Sequence, residues 1–481
     1  MADGDMARLF HRLTSYEPTR EWTDTVDDPW IVTSFEPNDM ALLPPPVKAF
    51  PEDLPGVPLP RDLPAPPARM LAALAGHAAG AATLDLAQLA RLLHLSAGVV
   101  RTAKAKDGRT ILFRAAGSAG ARFPLEIYVV ARQGVDGLAP GVHAYRPVEH
   151  ALVQVGPPPA GGTPALVVTG VPWRTGWRYR ERGYRHIFWD AGTMLSQQLA
   201  LAASAGLPAR LYTEFPDLEV RDLVGADGIA EFPVAVLVLA ETAPGWAPAK
   251  RGMAGSIDES PVHFPLVTAT HWAGISSRWG DRWPSGEALR DSPPDSQPVD
   301  EVIYRRGSTR LMDPSRGVRR DVLETALAVA LRGIDLPHFV AVHDVDGVPP
   351  GLYRWPDLSR PIRAGNLRAE LRRIAVGQGL AGDAAFVVIS AADLSSISDR
   401  RYRELQLAAG LVEGRLHLAA YALGYGASGM TFLDSEIPGL LGEELEAMIF
   451  TCVGVPEYAN KPGGRPGEPV VSRPVMPRLD D

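Results

Sequence analysis

Two stretches decide the fold: YRHIFWDAGTMLSQQLALAASAGLPA (184–209) and YRELQLAAGLVEGRLHLAAYALGYGA (402–427). They align without a gap. Tyr184/Tyr402, Arg185/Arg403, Ala191/Ala409, Gly192/Gly410, Ala202/Ala420, Gly206/Gly424 and Ala209/Ala427 coincide. Each has the pattern of a long helix with small residues on one face and a glycine stop. Small residues let a second helix approach closely, so this helix is expected to be a central packing element. Upstream, GLAPGVHAYRP (137–147) echoes GVPPGLYRWPD (347–357), and both look like hairpin turns between strands. Strand candidates follow at ALVVTGV (165–171) and AFVVISA (385–391), then at FPVAVLVLA (232–240) and AMIFTCVGV (447–455). The order in each half is helix, strand, hairpin, strand, long helix, short helix, strand. This predicts an α+β fold with a mixed or antiparallel sheet, present twice. The period is far above solenoid lengths, so the chain is a duplicated domain and not an array.

Proline marks the boundaries. Residues 1–65 hold most of LLPPPVKAFPEDLPGVPLPRDLPAPP, which cannot be helix or central strand. They are expected to form an extended arm anchored by Phe35, Leu42, Leu43, Val47 and Phe50. The first domain is placed at 66–243 and the second at 300–481. Between them, 244–299 is expected to be a crossing segment that packs on the body through Trp246, Trp272, Trp279 and Trp283.

Bulk properties narrow the function. The 481 residues are 46% hydrophobic and 22% charged, as in a globular protein with real cores. A net charge of -8 leaves no basic excess for phosphate backbones, so a nucleic-acid partner is not expected. The single cysteine, Cys452, excludes an intrachain disulfide and a thiolate zinc cluster. No apolar run has membrane-spanning length and the N-terminus has no apolar signal core, which favours a reducing, cytoplasmic setting. His150, His186, His338, His343 and His417 make no metal spacing, so no metal is expected. No GxGxxG follows a strand, which argues against a separate nicotinamide domain.

YRERGYRHIFWDAGTMLSQQLALAASAGL, with GSAGARFPLEIYVV (117–130), GLAPGVHAYRPVEHALVQV (137–155) and FHRLTSYEP (10–18), resembles the SagB/ThcOx-type branch of the nitroreductase superfamily. The resemblance covers nearly the whole chain. It implies an FMN-dependent dehydrogenase that oxidises azolines to azoles in ribosomally made peptides, with O₂ reoxidising the flavin. It also implies a peptide substrate and a cyclodehydratase complex as partner. The superfamily usually forms dimers with each FMN between two subunits. Two tandem halves would then make an internal pseudo-dimer, with a homodimer as a further level.

Arg305-Arg306-Gly307-Ser308-Thr309-Arg310 in the second half resembles the superfamily's phosphate motif. A phosphate dianion takes bidentate guanidinium and a hydroxyl donor, and Arg306, Ser308 and Arg310 would share one side of an extended segment. Lys461 and Arg465 resemble the late basic residues that also reach the phosphate. The first half has only His77 in the corresponding region. It carries Ala115-Ala116-Gly117-Ser118-Ala119-Gly120-Ala121 instead, which resembles the loop that contacts flavin from the opposite subunit. Gly117, Ser118 and Ala119 are its candidates, small so that backbone can approach a flat ring. The second half lacks such a loop. The losses are complementary, so the two halves together are expected to keep one complete FMN site.

In the superfamily a backbone N–H after the long helix faces flavin N5. In the second half this is the loop 424–438, with Gly429, Met430 and Thr431 as candidates. The branch also carries a Lys-Tyr pair for proton removal. Here Arg178 and Tyr179 match it, and an arginine stays protonated and is a poor base, though it lowers a neighbouring phenol's pKa. Two rival functions use the same features. One is an NAD(P)H-dependent nitro- or quinone-type reductase, marked by bleaching of the flavin with NAD(P)H. The other is a non-catalytic peptide-binding subunit, marked by a protein that takes up no FMN.

Overall fold

A computed structural model describes residues 2–18, 38–77, 80–131, 135–246 and 250–478. The two aligned stretches are helices Gly183–Ala205 and Asp399–Ala422, here the first and second long helix. They are buried on nearly every side, as expected of helices wedged between two sheets. They pack on each other more extensively than any other pair of elements. The paired glycines explain how closely. A Cβ on Gly192 would lie 2.5 Å from the Leu407 carbonyl oxygen, and one on Gly410 would lie 2.7 Å from the Cα of Trp189. Any side chain at either position would force the backbones apart.

Each long helix covers its own sheet. The first half contains β1 (Gly56–Pro58), β2 (Val99–Lys104), β3 (Thr110–Arg114), β4 (Leu125–Ala131), β5 (Gly141–Arg146), β6 (Ala151–Gly156), β7 (Ala165–Gly170), β8 (Arg210–Tyr212) and β9 (Phe232–Val238). The second contains β10 (His338–Val342), β11 (Gly351–Arg354), β12 (Arg363–Ala364), β13 (Phe386–Ala392), β14 (Gly426–Met430), β15 (Glu446–Gly454) and β16 (Val470–Val471). The sheet orders are β1-β6-β5-β4-β7-β9-β8 and β12-β11-β10-β13-β15-β14. Apart from the added β1, the second order repeats the first strand for strand. Every pairing in both is antiparallel. Central strands such as β7, β9 and β13 are buried along their whole length, which is why they run apolar without alternation. The fold is therefore α+β and duplicated, as the repeat requires.

The seam between halves is stitched by reciprocal ion pairs. Arg185 of the first long helix donates to Asp434 of the second half (2.7 Å), and Arg403 of the second long helix reaches Asp217 of the first (3.2 Å). Arg182 joins the first pair and Arg400 the second. These arginines lie on a helix end that the alignment made equivalent, so the interface has near-twofold character.

The N-terminal 65 residues depart in part from an extended arm. Asp5–Leu13 is a helix. Its Phe10 packs edge-on against both repeat tyrosines, Tyr184 and Tyr402, with ring centroids 5.3 and 6.0 Å away. From Asn38 onward a short 3-10 helix, Met40–Leu42, leads into mostly extended chain. Leu42 and Asp39 offer carbonyls to the indole N–H groups of Trp173 (3.0 Å) and Trp177 (2.7 Å), and β1 adds an edge strand to the first sheet. The anchor Phe35 lies outside the described residues. In the crossing segment Trp246 packs edge-on against Trp279 at 5.5 Å, and Trp283 lies on the main core. Near the C-terminus the chain returns to the first half, where β16 pairs with β2. No helix among the described residues is long and apolar enough to cross a membrane.

Candidate functional site

A guanidinium has five N–H donors and no acceptor, so donors left over on a buried arginine point to a missing acceptor. Arg306 follows the helix Val299–Arg305 and is 3% exposed. Its Nη2 donates to the Ala115 carbonyl (2.7 Å), while Nε and Nη1 have no hydrogen-bond partner among the described residues. Ala115 opens the Gly-rich loop of the first half. The second half's basic motif and the first half's loop therefore meet directly. A Cβ on Gly117 would lie 3.2 Å from Arg306 Nη1 and 3.8 Å from Ser308 Oγ, so glycine keeps this wall thin. Arg101 of β2 holds the seam from beneath, donating to the carbonyls of Lys461 (2.9 Å), Arg306 (3.2 Å) and Tyr304.

The remaining basic residues surround this point. Arg310 donates its backbone N–H to Tyr458 Oη (3.0 Å), and its side chain enters no ion pair among the described residues. Lys461 and Arg465 are exposed. They flank a strip held in place by Gly463 N–H to the Tyr304 carbonyl (2.7 Å) and Gly464 N–H to the Val100 carbonyl (2.8 Å).

The far end of the loop meets the Arg-Tyr pair. Gly120 has φ 56°, and a Cβ there would lie 2.7 Å from both Tyr179 Oη and Arg178 Cδ. Both residues end the helix Pro172–Tyr179; Arg178 is exposed, and Tyr179 stacks on the buried His186 at 3.9 Å. Burial pushes the Tyr179 phenol above its usual range, while Arg178 pulls it down by less. Arg178 thus acts in the expected direction and is outweighed. Tyr179 is a neutral phenol near pH 7, suited to donate a proton and not to accept one.

The third side comes from the long helices and β14. Asp190 of the first long helix accepts from Ser118 Oγ (2.5 Å) and Ala119 N–H (3.0 Å). Glu413 of the second long helix lies against Gly429, where a Cβ would be 2.7 Å from the carboxyl carbon, and it accepts the Gly429 N–H. Thr193 Oγ1 is 3.5 Å and His417 Nε2 3.7 Å from Glu413. Burial raises Asp190 to about 7 and Glu413 to about 8, the latter with help from Asp190's charge. Burial, with Arg306 and Arg310 nearby, lowers His417 to about 3, so it is a neutral ring.

Gly429 and Met430 lie on an edge strand and not on a loop as expected. Alternation then separates the three candidates. Gly429 faces Glu413, and Thr431 Oγ1 is buried with no partner among the described residues. Met430 turns into the apolar cluster with Phe432 and Phe450, away from the others. The structure thus brings together Arg306, Ser308, Gly117, Ser118, Ala119, Tyr179 and Gly429, and leaves Met430 out.

Sequence reasoning missed Asp190, Glu413 and His417. The signal was in the same alignment: they face Ala408, Leu195 and Leu199 in the other copy. At these three positions the repeat breaks from an apolar residue to a titratable one. Unpartnered guanidinium donors, a half-buried hydroxyl and a thin glycine wall suit a phosphorylated planar cofactor. Among the described residues no group of three or more His, Cys, Asp or Glu is placed to hold a metal.

Comparison with known proteins agrees with this architecture. No family model matches the chain. A curated protein of Methanocaldococcus jannaschii, provisionally described as a nitroreductase, is 29% identical over 169 residues, which is 32% of this chain and 79% of that protein. A crystal structure from Anabaena variabilis, also provisionally described as a nitroreductase, is 26% identical and covers 94% of this chain and 99% of its own, with a TM-score of 0.71. The chain thus shares the nitroreductase-like fold of these proteins and carries two copies of it in one polypeptide.

Proposed function

We propose that the chain is an FMN-dependent oxidoreductase with one composite flavin site, acting as a dehydrogenase that converts azoline to azole in a ribosomally made peptide. The oxidoreductase class follows the nitroreductase-like relatives. The single observation that carries the composite site is Arg306. It reaches from the second half to the first half's Ala115 carbonyl and keeps two buried nitrogens unpartnered beside Gly117. In this reading Arg306, Ser308 and Arg310 hold the phosphate, with Lys461 and Arg465 at the rim. The segment Gly117–Ala119 backs the ring. Gly429, whose N–H is held by Glu413 in this structure, would offer that N–H to the ring. Bound FMN supplies a two-electron acceptor. Arg178 and Tyr179 face the substrate, and the peptide arrives from a cyclodehydratase partner.

A second reading has one observation in its favour. Tyr179 is held protonated by burial, and a proton donor is what an NAD(P)H-dependent nitro- or quinone-type reductase needs. Anaerobic mixing separates the two. The dehydrogenase reading expects the FMN-loaded chain to bleach with a synthetic thiazoline peptide and to stay yellow with NADPH. The opposite pattern would replace it with the reductase.

A further inference from the structure

Duplication offers a test of which buried polar residues serve the scaffold. A group needed to join the halves should occur in both copies, as Arg185 and Arg403 do, each with its aspartate. Asp190 and Glu413 fail that test. Asp190 aligns with Ala408, and Glu413 with Leu195. Each long helix therefore carries one acid whose twin is apolar, and both acids stand at the same one of two equivalent places. That place also holds the unpartnered Nε and Nη1 of Arg306 and both unpartnered nitrogens of His417. Burying a carboxyl without an ion pair costs several kcal/mol or shifts its pKa, so a scaffold would not retain two such groups.

With Asp190 ionised, the hydrogen positions around it follow from its donors. Phe123 N–H donates to Ser118 Oγ (2.7 Å), so the Ser118 hydroxyl hydrogen is directed to Asp190 Oδ2 (2.5 Å). Ala119 N–H takes the other oxygen. The same carboxyl lines a cavity together with Gly117, Ser118, Phe123, Pro124 and Met194. The charged and titratable groups around it are Glu413 from the second long helix, Arg306 beyond Gly117, Arg114 on the cavity wall and Tyr179 across the loop. No cation pairs with Asp190 among the described residues.

We infer that Asp190, with the Ser118 hydroxyl as its relay, is the group that exchanges a proton with the substrate at the composite site. This rests on the flavin reading above. In the oxidative direction a substrate C–H bond breaks and its electron pair leaves as hydride to oxidised flavin, which is reduced. The proton on the neighbouring atom passes to the Ser118 oxygen as the Ser118 hydrogen moves to the Asp190 carboxylate. A double bond forms between the two substrate atoms. Tyr179, already protonated, orients the substrate by hydrogen bonding. A carboxyl held near neutrality matches the driving force such a transfer requires.

Infrared titration of the full chain without cofactor reads the carboxyl directly. Wild type should lose a protonated-carboxyl band as pH rises through about 7. Asp190→Asn should remove one carboxyl from that band and leave those of Glu181, which burial also raises to about 7, and Glu413, which should titrate lower without the Asp190 charge. Glu413→Gln should leave the Asp190 step in place, because Glu413 is still protonated while Asp190 ionises. In the FMN-loaded chain, Asp190→Asn should slow anaerobic bleaching by a synthetic thiazoline peptide about 10²–10⁴-fold while FMN stays bound. Asp190→Ala installs the residue already present at the twin position 408, and guards against a folding failure. A protonated-carboxyl band near neutrality that is undiminished in Asp190→Asn, or bleaching at the wild-type rate in either variant, overturns the inference. Wild type that binds FMN but is not bleached by the peptide counts against the azoline reading instead, and the infrared titration then decides for or against Asp190.

Discussion

Arg306 touches both halves through one side chain, and its removal should be felt at the cofactor first. Arg306→Ala or Arg310→Ala each removes a charge-assisted hydrogen bond of roughly 1.5–3 kcal/mol, so FMN affinity measured by fluorescence titration should fall about tenfold or more. His77→Ala should leave it unchanged, since among the described residues the His77 ring meets the Leu289 carbonyl (3.1 Å), away from Arg306. Equal losses at Arg306 and His77 would contradict the assignment. Glu413 predicts a stability effect of opposite sign. Its folded pKa, about 8, lies above the usual 4.5. The stabilising protonated form is complete below pH 4.5 and is lost as pH rises through 8. Glu413→Gln should therefore stabilise the cofactor-free chain by about 1–3 kcal/mol at pH 9 and by little at pH 4.5. Urea unfolding at both pH values measures this; a variant no more stable at pH 9 would mean the carboxyl is already compensated. At this scale the sequence singled out Arg306, Ser308 and Arg310 by their likeness to a phosphate motif, and the buried, unpartnered nitrogens of Arg306 support that reading. It did not disclose Glu413, whose partner Gly429 is brought to it only by tertiary packing.

The crossing of the two long helices at Gly192 and Gly410 was legible because close approach leaves a compositional trace in small residues. Gly192→Leu should cost more than about 3 kcal/mol, since overpacking here meets backbone and not a yielding side chain. The same leucine in place of exposed Gly424, with open space around its Cβ position but φ 87°, should cost about 1–2 kcal/mol of backbone strain. Thermal unfolding of both variants would check the ordering, and equal shifts would remove the crossing from the account. Two elements escaped the pattern for physical reasons. The helix Asp5–Leu13 begins at Gly4 in a left-handed conformation with no side-chain cap, so no capping signal announces it. Its stability comes from Phe10 between Tyr184 and Tyr402. The strand β14, GASGM, has little intrinsic strand preference and is a strand because β15 offers it a ladder.

At the scale of the whole chain, the two halves behave as subunits fused by one polypeptide. Asp434 sits in their seam. Burial alone would raise its carboxyl, but Arg182 and Arg185 hold it at about 2. The sign follows: its stabilising contribution is present above the usual 3.8 and is lost as pH falls through 2. Asp434→Asn leaves two buried arginines short of a charge and should cost about 3–5 kcal/mol, seen as a lowered unfolding midpoint at pH 7 that converges with wild type below pH 2. A duplicated fold of this kind has room for two equivalent places, and Arg306, Asp190 and Glu413 all stand at one of them. The measurement closest to that claim is the amount of flavin released per polypeptide when the FMN-saturated chain is denatured. The composite site of Arg306 and the Gly117 loop predicts one FMN per chain; a value near two would contradict it.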